Sequence, residues 1–122
     1  MSKIDWYVSP FGHVKYALIQ NQKQLNKSSK SRLLKFLSIS TTAQCTYFDE
    51  DGKRICLVEL GDLSGRTIAE IHGVIVHEAV HVHQQIMERM CEKPSVEFEA
   101  YSIQQIVVNL LSSYAENKKE LK

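Results

Sequence analysis

Val76-His77-Glu78-Ala79-Val80-His81-Val82-His83, read VHEAVHVH, sets two histidines four residues apart with a glutamate directly after the first. On an α-helix, residues four apart lie on one face, a single turn from each other. From about Ile68 the chain reads helical through this stretch. Val74, Ile75, Val76, Ala79, Val80 and Val82 make the helix almost wholly apolar around its polar residues. Such a helix is expected to be buried. Histidines and a carboxylate inside it are costly unless something partners them.

Downstream, Pro94 interrupts the pattern and Ser95 can cap a final helix. Val96, Ala100, Ile103, Val107, Leu110, Leu111 and Tyr114 would give that helix one apolar stripe. Upstream, GDLSGRT reads as a loop in which Ser64 or Thr67 can cap the histidine helix. Before it, AQCTYFDEDGKRICLVEL places two strand-like runs around Asp51-Gly52, a hairpin signal. A turn there sets Cys56 opposite Tyr47 and leaves Cys45 a diagonal neighbour, too far for an unstrained disulfide. Cys45, Cys56 and Cys91 are therefore read as reduced thiols.

The N-terminal third is read as a short strand around Ile4, Trp6 and Val8, followed by helices. Ser9-Pro10 suits a helix start, Phe11, Val14, Leu18 and Leu25 recur at helical spacing, and KSSKSRLLKFLS suggests a second, basic helix. The resulting order is an N-terminal helical part, a small antiparallel hairpin, then two helices: an α+β fold. At 122 residues the chain suits one domain, 1–122. Its apolar runs are too short to span a bilayer, and MSKIDWYVSPFG lacks the hydrophobic core of a signal peptide. These features suggest a cytoplasmic protein that does not enter membranes. Trp6 to Phe48 carry six Lys/Arg and no acid. With few aromatics among them, this reads as a solvated face, and nucleic acid is not the expected partner.

The spacing within VHEAVHVH carries the chemistry. His77 and His81 can present two imidazole nitrogens to one Zn²⁺ while Glu78 reaches a water on the ion, the HExxH arrangement. Zinc in an open site acidifies its water and polarises a carbonyl, and the carboxylate can shuttle the proton to a leaving amine. A catalytic zinc needs a third protein ligand. The positions at which a metzincin has glycine and histidine hold Gln84 and Met87, which excludes that class. A deformylase-like ligand, Cys45 or Cys56, lacks the glycine-cysteine surroundings of that family. His13, His72 and His83 do not share the face of the pair.

Downstream of the histidines stands Glu97-Phe98-Glu99-Ala100-Tyr101. Between His77 and Tyr101 the chain resembles the gluzincin metallopeptidases, in which HExxH is followed by ExxA or ExxS on a second helix; thermolysin, the minigluzincins and the phage-repressor-cleaving peptidases share this plan. The resemblance implies a compact zincin-like fold and makes Glu97 the third ligand, with Glu99, which opens an ExxS match, as the alternative. Tyr101 stands where many relatives have aspartate or asparagine. It could orient a histidine, donate to the oxyanion or simply pack. The resemblance further implies a zinc-dependent hydrolase acting on a peptide or protein substrate, with the strand Ile55–Leu60 pairing with the substrate backbone, and suggests a phage or prophage origin. A non-enzymatic zinc module that binds a protein partner is the alternative. For Glu97 to reach the histidines, the HExxH helix must end between about Ile86 and Met90, and Cys91–Ser95 must turn back.

Overall fold

A computed structural model describes residues 3–30, 34–38, 40–90 and 96–120. Its elements are β1 (Trp6–Val8), a 3-10 turn (Pro10–Gly12), β2 (Val14–Ile19), α1 (Gln22–Ser29), β3 (Ala43–Glu50), β4 (Lys53–Leu60), α2 (Ile68–Met90) and α3 (Val96–Glu120). The class is α+β, with a mixed four-stranded sheet in the order β1-β2-β4-β3. No helix among the described residues is long and apolar enough to cross a membrane.

The hairpin forms as its turn residues dictate. Asp51 and Gly52 both take positive φ, 52° and 79°, the pair of values a two-residue turn needs to match strand twist. The register sets Tyr47 opposite Cys56 and Cys45 opposite Val58, and Cys45 and Cys56 are free thiols. Cys91 lies outside the described residues.

The expected helix from Ser9-Pro10 is instead a single 3-10 turn leading into a strand. Phe11 and Gly12 take φ of 66° and 73°, conformations that end a right-handed helix at once. Ser9 closes the loop, its Oγ accepting from the Val14 backbone N–H at 3.0 Å. Val14 and Leu18 lie four apart, a spacing that fits both a helical face and alternate residues of a strand. Tyr16 between them decides: Val14, Tyr16 and Leu18 point to one side of β2, Lys15, Ala17 and Ile19 to the other. Five of the six residues of β2 are buried, as befits a strand paired in parallel with β4 inside the sheet.

Nor does a basic helix follow the serines. The helix comes earlier, α1, capped by the Asn21 side chain, which accepts from Gln24 N–H at 2.8 Å. It stops where Lys30 turns to φ 55°. Residues 34–38 are neither helix nor strand, and 31–33 lie outside the described residues.

Two apolar layers sandwich the sheet. On one face Val14, Tyr16, Leu18, Cys56 and Val58 pack against Ile75, Ala79, Val82 and Ile86 of α2 and Ile106 and Leu110 of α3. On the other, Ile19, Ile55 and Leu57 pack with Leu25 of α1, flanked by Trp6, Phe48, Leu34 and Phe36. Helix α2 begins in a capping box: Glu70 N–H donates to Thr67 Oγ1 at 3.1 Å, and Thr67 N–H to Glu70 Oε1 at 2.8 Å. It buries one stripe rather than its whole surface, for Val76, His77 and His81 are exposed. Burial therefore penalises Glu78 and His83, not the histidine pair. Of the stripe expected on α3, Leu110 is buried and Val107, Leu111 and Tyr114 pack against the core, and the departure lies at its N-terminal end. Ser102, Ile106, Leu110 and Ser113 are inward, while Val96 is 84% exposed and Ala100 is exposed.

Candidate metal centre and groove

Helix α2 carries its HExxH residues along the β3 edge of the sheet. His77 and His81 stand one turn apart with ring centroids 5.0 Å from each other, edge to face, and His81 Nδ1 is 2.9 Å from Gln84 Oε1. Glu78 sits between them, buried, and its Oε1 has no hydrogen-bond partner among the described residues. Burial pushes its carboxyl pKa up, while the two adjacent histidines pull it down. A buried carboxylate oxygen without a donor is costly unless a proton, a water or a cation meets it. Among the described residues, His83 Nε2 is the other buried polar atom of this helix without a hydrogen-bond partner.

The carboxylate opens onto a cavity of about 450 Å³ walled by Cys45 and Tyr47 of β3 and by His77, His81 and Gln84 of α2. A second cavity, about 440 Å³, shares Ala43, His77 and Glu78 and continues to Arg66 and Glu70. Together they form one groove between β3 and α2, with His77 and Glu78 at its middle. At its far end Arg54 donates to Gln85 and, at 2.7 Å, to Asp49, with the Tyr47 ring 5.2 Å from its guanidinium carbon.

β4, not β3, was expected to offer the open edge. Because β4 pairs with β2 on one side and β3 on the other, Ile55–Leu60 has no free edge to lend a peptide. The edge strand on the groove side is β3, Ala43–Glu50, which pairs only with β4 among the described residues. Sequence reading missed it because strand order is not a local property. The inward alternation of Ala43, Cys45 and Tyr47 was the available sign that this strand, too, faces α2. Cys45 is held well above the usual thiol range, first by its hydrogen bond to Cys56 and then by burial.

The remaining candidates lie elsewhere. Glu97 is exposed in the first turn of α3. Glu99 is also exposed, its Oε2 3.9 Å from His83 Nε2. Tyr101 lines a separate cavity of about 230 Å³ with Phe98, Ser102 and Pro10. Helix α2 runs to Met90, the outer limit compatible with a returning Glu97, and 91–95 lie outside the described residues. Among the described residues no three of His, Cys, Asp and Glu are placed to share a metal ion. His77, Glu78 and His81 line the groove together, whereas Glu97, Glu99 and Tyr101 are not among the residues that line it. His83 faces the opposite way, buried between α2 and α3, with Nδ1 3.0 Å from Ser102 Oγ.

Comparison with protein-family models, with curated proteins and with solved structures returned no match.

Proposed function

We propose that this protein is a zinc-dependent peptide-bond hydrolase whose metal is held by His77 and His81 and whose general base is Glu78. One observation carries the reading: two imidazoles a turn apart on a groove, with a buried carboxylate between them whose Oε1 has no hydrogen-bond partner among the described residues. Two nitrogen donors at this spacing suit Zn²⁺, and the orphaned Glu78 oxygen suits a water-activating base. Bound zinc supplies Lewis acidity, acidifying a water and polarising a carbonyl.

The chain's own residues supply the rest. Glu78, kept less acidic by burial, takes the proton of the attacking water and delivers it to the leaving amine nitrogen. The groove-side edge of β3 can add the substrate backbone as a further strand, with main-chain hydrogen bonds holding it in the groove. Glu97 remains the third ligand that the gluzincin resemblance implies. Since it does not line the groove here, the reading requires the first turn of α3 to approach the groove when zinc binds. The same resemblance carries the zincin-like label, a role for Tyr101 and the phage or prophage source, while the cytoplasmic address rests on the short apolar runs and the N-terminal sequence.

Glu78→Gln is the direct test. The variant should bind zinc as the parent does and lose cleavage of a peptide library by about a hundredfold or more. Full activity in that variant would refute the mechanism.

A further inference from the structure

On the face of the sheet away from the groove, four lysines surround a cavity of about 310 Å³. Lys15 rises from β2, Lys27 and Lys30 come from the end of α1, Lys53 begins β4, and Trp6 forms a wall. Glu50 and Asp51 are the acids on its lining, so four lysines share it with two acids, and the Lys53 ammonium donates to the Gly12 carbonyl at 2.8 Å. One of those carboxylates, Glu50, is already paired with Lys30.

Three features set this cluster apart from an ordinary solvated face. Lys15 occupies an inner strand, between Val8 of β1 and Ile55 of β4. Its row continues as Ala17 and Ile19, both fully buried. A lysine there breaks the apolar pattern of its own sheet face, and local rules tend to be broken at working sites. Its ammonium lies 4.6 Å from the centroid of the Trp6 ring, which holds the charge beside the cavity by cation–π attraction. Lys30, next to it, takes φ 55° and ψ −122°, a backbone conformation that costs a non-glycine residue energy and tends to persist where function requires it. Gathering like charges in one concavity raises the local potential for an anion.

We infer that this cavity is a binding site for a phosphoryl group, contacted by Lys15 and Lys27, with Lys53, whose ammonium is held by the Gly12 carbonyl, at its rim. A phosphoryl group offers several acceptor oxygens to ammonium donors arriving from different elements. Two sources share that chemistry: a free phosphate ester and the phosphodiester backbone of a nucleic acid. The inference is independent of the zinc reading, because the cavity shares no lining residue with the groove.

Trp6 is the chain's one tryptophan, so its emission reports on this cavity alone. The full chain is titrated at constant ionic strength with pyrophosphate and, separately, with an oligothymidylate. A saturable change in emission is expected, weakened roughly tenfold by Lys15→Gln or Lys27→Gln. Lys23→Gln, on α1 but off the cavity, should leave the affinity unchanged. Tighter binding of pyrophosphate identifies a free phosphate ester as the source, and tighter binding of the oligonucleotide identifies a backbone. Should Lys15→Gln fail to fold, Lys27→Gln on the exposed side of α1 decides alone. The inference is overturned by the lack of a saturable response to both probes, by equal weakening in Lys23→Gln, or by an oligoglutamate binding as tightly as either.

Discussion

His77 and His81 stand in water at the edge of a groove, whereas His83, two residues on, is buried between two helices with a serine on one nitrogen. The three share a helix and a residue type. Only their angle around the axis differs, and at 3.6 residues per turn the sixth residue after His77 looks away from it. The outward pair is exposed, with His81 Nδ1 held by Gln84 and its Nε2 left for a metal or solvent. The inward one is committed to packing. Helix α2 therefore presents two different faces, and the inward one is filled by apolar side chains: Ile75, Ala79, Val82 and Ile86 are fully buried against the sheet and α3.

The sharpest way to break this division is at the outward face. His81→Ala should abolish stoichiometric zinc uptake and cleavage, while the metal-free protein keeps its parent melting temperature within the small range of surface substitutions. Elemental analysis and thermal unfolding read the two arms. Removing zinc from the parent chain should likewise leave the far-ultraviolet circular dichroism essentially intact. Collapse of the fold on chelation would instead support a structural zinc and the partner-binding alternative. Next in size is Ile75→Ala on the inward face, expected to cost about 2–5 kcal/mol in denaturant unfolding of the metal-free protein.

His83→Ala comes third, at about 1–3 kcal/mol, because it leaves a void and strips the buried Ser102 hydroxyl of its partner. This site also has a pH signature. Burial holds the His83 pKa below its ordinary value, with Glu99 opposing weakly. The unfolded chain therefore binds a proton that the folded one resists. The stabilisation from neutral His83 is full above the unfolded value of about 6.5 and is lost as pH falls below it. Metal-free parent and His83→Ala should thus differ less at pH 5 than at pH 8, and an equal difference would remove the buried-neutral assignment. Smallest is Thr67→Ala, about 1 kcal/mol for the lost helix cap. The capping Glu70 has its pKa lowered by its bonds to Thr67, so its contribution fades as pH falls through that lowered value.

How much of this was legible depended on the range of the interaction. Asp51-Gly52 announced the hairpin, and even the Tyr47–Cys56 pairing, because a two-residue turn fixes register by itself. Thr67 was one of two possible caps, and the capping box with Glu70 selects it. Val14 and Leu18, by contrast, satisfied two periodicities at once, and Ser9-Pro10 tipped the reading toward a helix that Phe11 and Gly12 end after one turn. The apolar stripe of α3 was legible from Val107 to Tyr114, which meet the core, but not at Val96 and Ala100, where the helix is exposed.

VHEAVHVH, by itself, determined that two histidines and a glutamate would share one side of a helix, since that follows from helical rise and twist alone. Tertiary structure decided what this side would meet. It buried β4 between two partners, put β3 at the groove-side edge, seated Glu78 beneath it with its Oε1 unbonded among the described residues, and turned Glu97 to solvent. Those outcomes depend on strand order and helix rotation, which arise from contacts between residues far apart in the chain and leave no trace in local spacing.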